Sequence, residues 1–279
     1  MDGRAAGSAR RGGRGVDLEL SSVLFLFLCH LGIGIVLTLV LISSAAGVRF
    51  FRFTSALAFL LIVLGIALRP AALTLGRDAR GLATASLLVA LLALSLVVAR
   101  QNPWRRPFLW LSAASGLLAL VAQAASFPSS VPLALTIASF LTSAALLGSS
   151  FTAMVLGHWY LVLPSLDVRH LQSVVRFHVG STVARALAVV AVAWAAALAW
   201  DSFLAPTFAS YVFSIDGIFL WQRALFGLLG PAVLAWMTWE TARLRSTQSA
   251  TGILYVDFFM VIVGEVVAKY LLLTTALAF

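Results

Sequence analysis

Residues Thr251–Leu273 read TGILYVDFFMVIVGEVVAKYLLL. A helix needs about 20 mostly apolar residues to cross the hydrocarbon core of a bilayer, and this segment is long enough. It also holds three charges, Asp257, Glu265 and Lys269. With Val261 between them they fall on one i, i+4 stripe of a helix. Whether this segment is a membrane helix with a polar stripe or an ordinary amphipathic helix decides the fold, and the rest of the chain gives the answer.

Hydrophobic residues make up 62% of the 279 residues, charged residues only 10%, and the mean hydropathy is +1.04. A soluble domain carries about 25% charged residues. A chain so short of charge cannot clothe a globular surface, so its solvent is lipid, where the backbone must close its own hydrogen bonds. Its apolar runs are rich in Leu, Ala and Val and lack period-two alternation, which favours helices over a β-barrel. The expected fold is therefore an all-α integral membrane protein of about eight transmembrane helices. They fall near residues 19–45, 51–68, 82–99, 107–127, 132–160, 181–201, 217–239 and 252–276. Two four-helix bundles are one arrangement open to them. Residues 1–18 are expected to be a disordered Arg/Gly-rich tail, and residues 19–279 a polytopic helical membrane domain. The first apolar run lacks a small-x-small cleavage site and reads as a membrane helix, not a removed signal peptide.

The net charge is +9, and 18 of the 19 basic residues are arginine. Most stand between the apolar runs, where they set topology and meet lipid phosphates, and no basic face interleaved with aromatics suggests nucleic acid. Arg49, Arg52, Arg100, Arg105, Arg106, Arg169, Arg176, Arg243 and Arg245 belong to odd-numbered connections. Their repeated bias favours both termini outside, although the four tail arginines and Arg69, Arg77 and Arg80 speak for the reverse. Arg223 is expected to snorkel to the outer interface. The single cysteine, Cys29, excludes an internal disulfide and a multi-cysteine cluster site. The alanine-rich sixth span, ARALAVVAVAWAAALAW, and Gly32, Gly34, Gly148 and Gly157 provide small surfaces for close helix packing. Pro231, after Gly230, should kink the seventh span.

Charge at membrane depth is costly and seldom kept without use, so candidate function concentrates there. Glu265 and Lys269 can pair across one turn, either as a structural ion pair or, with Asp257, as a proton path or the wall of a ligand pocket. His30 lies in FLCHLGIGIV, about ten residues and roughly 15 Å into the first span. Gly32 and Gly34 are expected to clear space beside it. A histidine N–H there can hold and protonate a quinone carbonyl, or simply bridge two helices. With the termini on one side, His30 and Glu265 come to similar depth. His30 and His158 do not, which counts against bis-histidine haem ligation. No carboxylate–histidine cluster suggests a metal.

The stretch GHWYLVLPSLDVRHL, Gly157–Leu171, reads as an interfacial turn. Pro164 ends the long fifth span, Ser165 caps a new helix with Asp167 in its first turn, and Trp159 and Tyr160 form an aromatic belt. Arg169, His170, Arg176 and His178 are candidates for a landing surface for a partner or anionic lipid, and His158 is a second choice for ligand binding.

Three segments carry a family resemblance: LFLCHLGIGIVLTLVLIS (Leu26–Ser43), VPLALTIASFLTSAALLGSSF (Val131–Phe151) and the final pair of spans, Arg223–Leu273. In their glycine-rich first helix, small-rich central helix and proline-bearing penultimate helix, they resemble the quinone-reactive membrane-anchor subunits of the polysulfide and dimethyl-sulfoxide reductase type. GHWYLVLPSLD and the Glu265 that follows Gly264 depart from that pattern. The resemblance implies a multi-pass subunit of a bacterial-type inner membrane that binds menaquinone or ubiquinone and holds no haem. It also implies exchange of electrons with a peripheral iron–sulfur or molybdenum-enzyme partner. The expected function is that of the quinone-reactive membrane subunit of an oxidoreductase complex, with His30 at the quinone. The alternatives are a transporter and a structural or assembly subunit, with a haem b protein behind them. The paired Gly/Pro-broken helices that mark a midplane transport site are lacking.

Overall fold

Lipid offers the backbone no outside hydrogen-bond partner, and the chain responds with helices throughout. The computed structural model describes residues 5–99, 105–162, 167–198, 200, 207–215 and 217–279. These form α1 (Ala5–Leu41), α2 (Val48–Leu68), α3 (Ala79–Ala99), α4 (Arg105–Ser126), α5 (Leu133–Val162), α6 (Arg169–Leu198), α7 (Phe208–Val212), α8 (Ile218–Ala224), α9 (Gly230–Arg243) and α10 (Thr247–Thr275). Among the described residues there is no strand. Seven segments are long and apolar enough to cross a membrane: Leu20–Leu41 within α1, α2, α3, α4, Leu133–Tyr160 within α5, α6, and Ile218–Arg243. The eighth expected span is α10, 29 residues long. The protein is an all-α, multi-pass membrane protein.

The helix holding the first span starts at Ala5, inside the segment whose composition marks a tail. Arg100, Trp104, Pro164, Ser165, Asp201, Pro206 and Asp216 lie outside the described residues. Helices α1–α4 pack as one four-helix ring, and α5, α6, α8–α9 and α10 as a second. The rings meet where α1 lies against α5, with α4 on α5 and α1 on α10 beside that seam. Gly34 and Gly148 close it: a Cβ on Gly34 would overlap the Ala144 carbonyl, and one on Gly148 would overlap the Gly34 backbone. A Cβ on Gly32 would stand 2.6 Å from Ile62 Cγ1 on α2. These glycines therefore bring helices together and do not clear a void beside His30, because the lipid interior rewards close contact between helices.

Ile218–Arg243 is not a plain helix. A π-helical turn, Leu225–Leu229, joins α8 to α9 directly before Gly230 and Pro231. Pro231 has no N–H to offer the carbonyl four residues back, that of Gly227. Arg223 Nη1 donates to that carbonyl instead, at 2.8 Å. The expected disturbance at Pro231 is therefore a π turn, and it draws an arginine inward.

Residues Trp159, Tyr160 and Leu171 are packed more firmly than an interfacial turn requires. Tyr160 is only 4% exposed, and its hydroxyl donates to the Asp167 carbonyl and accepts from Leu171 N–H. Trp159 packs edge-on against Phe50, with ring centroids 5.9 Å apart. Tyr160 is too buried to face lipid and binds α5 to the start of α6, while Trp159 is half-buried against α2. Asp167 stands ahead of α6, where its carboxylate accepts Arg169 N–H at 3.0 Å. Tyr160→Phe leaves the buried Leu171 N–H without its acceptor, and is expected to lower unfolding free energy by about 1 kcal/mol, measured by thermal melting in detergent.

Candidate functional site

Glu265 on α10 is fully buried, and four side chains converge on it. Its Oε1 accepts Arg185 Nε at 2.9 Å from α6 and Arg223 Nη2 at 2.8 Å from α8. Its Oε2 accepts Ser143 Oγ of α5 and Arg185 Nη2 at 3.3 Å, and lies 3.5 Å from Lys269 Nζ. Arg185 also donates to the Ser139 carbonyl at 3.1 Å, to Ser139 Oγ at 2.6 Å and to the Phe279 main-chain oxygen at 2.7 Å. Desolvating each of these ions costs several kcal/mol, and charge-assisted hydrogen bonds at these lengths are what offsets it. Three basic side chains thus surround one side-chain carboxylate.

The network reaches α1 through Ser143. Its hydroxyl donates to Glu265, accepts Lys269 Nζ at 2.7 Å and lies 3.1 Å from His30 Nδ1. A serine hydroxyl has one proton and two lone pairs. With the proton on Glu265 and one lone pair on Lys269, the remaining lone pair takes a proton from His30. His30 therefore carries its hydrogen on Nδ1, and the bare nitrogen is Nε2, which is buried and has no hydrogen-bond partner among the described residues. The expected match in depth between His30 and Glu265 is realised as a bridge through one hydroxyl.

A second buried cluster lies two turns along α10. Asp257 Oδ2 accepts Ser150 Oγ at 2.9 Å and sits 2.9 Å from His178 Nε2, while Ser149 Oγ is 3.1 Å from His178 Nδ1. The histidine and carboxylate are close but poorly aligned, since neither His178 Nε2 nor Asp257 Oδ1 has a hydrogen-bond partner among the described residues. Eight residues separate Asp257 from Glu265, roughly 12 Å of helix. The stripe Asp257–Val261–Glu265–Lys269 thus faces wholly inward.

Two assignments need correction. Arg223 does not snorkel: it is fully buried on Glu265, because the π turn leaves Gly227 and Glu265 to receive its guanidinium. His178 does not share a surface with Arg169, His170 and Arg176: it faces the core on the opposite side of α6. Arg169 and Arg176 are exposed and His170 is half-buried. Arg176 lines a cavity of about 170 Å³ with Trp236 and Trp239. His158 is exposed, 3.2 Å from Tyr255 Oη, and outside both clusters.

Arg185, Ser139, Ser143, Ser149 and Ser150 were not singled out by composition or motif. Arg185 was legible as the one charge inside ARALAVVAVAWAAALAW, but a span started at 181 puts it near an end, whereas α6 begins at Arg169 and carries it to mid-helix. Ser139, Ser143 and Ser150 share one face of α5 at helical spacing, a polar stripe matching that on α10. No protein-family model matches the chain, and no curated protein matches it.

Proposed function

We propose that the protein is a membrane subunit of a respiratory-type redox complex, binding a quinone or quinol beside His30 and exchanging electrons with a peripheral iron–sulfur partner. The observation that carries this is the bare, buried Nε2 of His30. A buried lone pair without a donor is costly, and a quinol hydroxyl supplies the donor. The basic side chains of Arg185, Arg223 and Lys269 around Glu265 would favour negative charge developing on a ligand oxygen nearby. When bound, the quinol supplies two protons and two electrons.

The chain's own residues can move a proton. One taken up at His30 Nε2 is matched by release of the Nδ1 proton to Ser143, whose own proton passes to Glu265. Neutralising Glu265 would strand three cations, so one must pass a proton on to bulk water at the exit of the path. Lys269 alone among them can do so, because a guanidinium stays charged. Glu265 and Lys269 then act as a relay, with Asp257 and His178 as a second station toward the other face. The arginine bias of the odd-numbered connections supports placing both termini outside.

One observation favours a second reading: nearly every charge in the network is hydrogen-bonded, as a purely structural cross-link between the rings would be. The test separates the two. The purified complex is extracted for a co-purifying quinone, and quinol turnover is measured for His30→Leu and Lys269→Arg. Acid–base relay predicts loss of turnover of about 100-fold in both with assembly intact, since Lys269→Arg keeps the charge but cannot release a proton. Unchanged turnover in both variants refutes the relay and leaves the structural cross-link.

A further inference from the structure

The ends of α1, α2, α3, α4 and α10 enclose a cavity of about 240 Å³ that none of the roles above uses. Phe25, Leu87 and Leu273 form its apolar part, and Arg69, Arg80 and Gln123 its polar part. Gln123 is 2% exposed; the Cys29 thiol lies beside its carboxamide, but neither the amide nitrogen nor the oxygen has a nitrogen or oxygen partner among the described residues. Arg69 is half-buried, with its guanidinium 6.0 Å from the Phe25 ring and 5.8 Å from the Phe127 ring. Among the described residues, neither Arg69 nor Arg80 has a carboxylate within ion-pair distance. Burial and the neighbouring charge of Arg80 both pull Arg69 below its ordinary range, and the two arginines line one space. The acid nearest in sequence, Asp78, accepts Gly81 N–H at 3.0 Å.

The geometry points to a site for a phosphate ester bearing a hydroxyl, the chemistry of an anionic glycerophospholipid headgroup. Arg69 and Arg80 would hold the phosphate as paired cations. The Gln123 amide N–H would donate to a phosphate oxygen, and its carbonyl would accept the ligand hydroxyl, giving both atoms oxygen partners. Phe25, Leu87 and Leu273 would line the start of an alkyl chain. The cavity lies at the ends of spans Val48–Leu68, Ala79–Ala99 and Arg105–Ser126, where headgroups meet a bilayer protein. The site uses neither His30 nor any residue of the Glu265 network, so it does not depend on the quinone proposal.

The full-length protein in detergent is titrated with mixed micelles containing phosphatidylglycerol or phosphatidylcholine, and separately with soluble glycerol phosphate, following the melting temperature and retained lipid by native mass spectrometry. Preferential binding of phosphatidylglycerol is expected. It should fall about fivefold for each of Arg69→Gln and Arg80→Gln, and Gln123→Leu should also weaken it. Arg77→Gln, a neighbouring exposed arginine outside the cavity, should leave it unchanged. Stabilisation by glycerol phosphate without lipid, lost in Arg69→Gln, would support the site with a soluble phosphate ester as its ligand. Equal binding of the two lipids with no effect of glycerol phosphate overturns the proposal, as does a preference that survives Arg69→Gln with Arg80→Gln. Arg77→Gln acting as strongly as the cavity variants would overturn it too, by showing general surface attraction.

Discussion

Glu265→Gln is expected to be the most damaging single substitution in the protein. It is nearly isosteric, so packing is preserved, but it leaves Arg185, Arg223 and Lys269 in the core without a counter-charge. Removing one partner of a buried ion pair costs about 3–5 kcal/mol, and here three cations lose the same partner. The expected readout is loss of folded protein after extraction, or a melting transition lowered well beyond that of any surface variant. A second substitution shows whether the effect is electrostatic. Arg223→Met alone deprives both Glu265 and the Gly227 carbonyl of a donor, and should destabilise. Added to Glu265→Gln, it removes a stranded cation and should recover part of the loss, with a coupling of about 2 kcal/mol. Simple additivity of the two would show that the carboxylate and the guanidinium do not act as a unit.

Gly148→Ala is expected to damage the fold and the site together. The added methyl would occupy the space of the Gly34 backbone, so α1 and α5 must part along the seam between the rings. Such overpacking costs about 3 kcal/mol where neither backbone can yield. His30 lies one turn before Gly34 on α1, and Ser143 just over one turn before Gly148 on α5. The 3.1 Å contact between them should therefore lengthen and break, with quinol turnover falling in whatever fraction still folds. Gly180→Ala supplies the contrast, because a Cβ there meets nothing within 4 Å. In the middle of α6 it should gain about 1 kcal/mol from helix propensity. Equal melting temperatures for the two alanine variants would refute the close approach of α1 and α5.

The stripe on α10 was readable because its charges repeat at helical spacing within a segment too apolar to lie in water. The partners of that stripe were less readable. Arg223 and Arg185 each stood near the expected end of a span, where an arginine ordinarily reaches out to headgroups. Both judgments depended on where a helix starts and whether it runs regularly, and α6 starts earlier while the seventh span carries a π turn. Gly32 and Gly34 show the same limit. A glycine that makes room for a ligand and one that makes room for a backbone are identical in the chain.

Composition and periodicity alone determined that this chain folds as membrane helices and that its costly charges share one helix face, because both follow from the solvent and from 3.6 residues per turn. Which groups share the Glu265 carboxylate was decided only by the tertiary structure. Ser143, Arg185 and Arg223 reach it from 122, 80 and 42 residues away. A hydrogen bond is made or lost within a few tenths of an ångström, and that distance is set by how closely α1, α5, α6, α8 and α10 pack, with Gly34, Gly148, Gly227 and Gly264 at the points of contact.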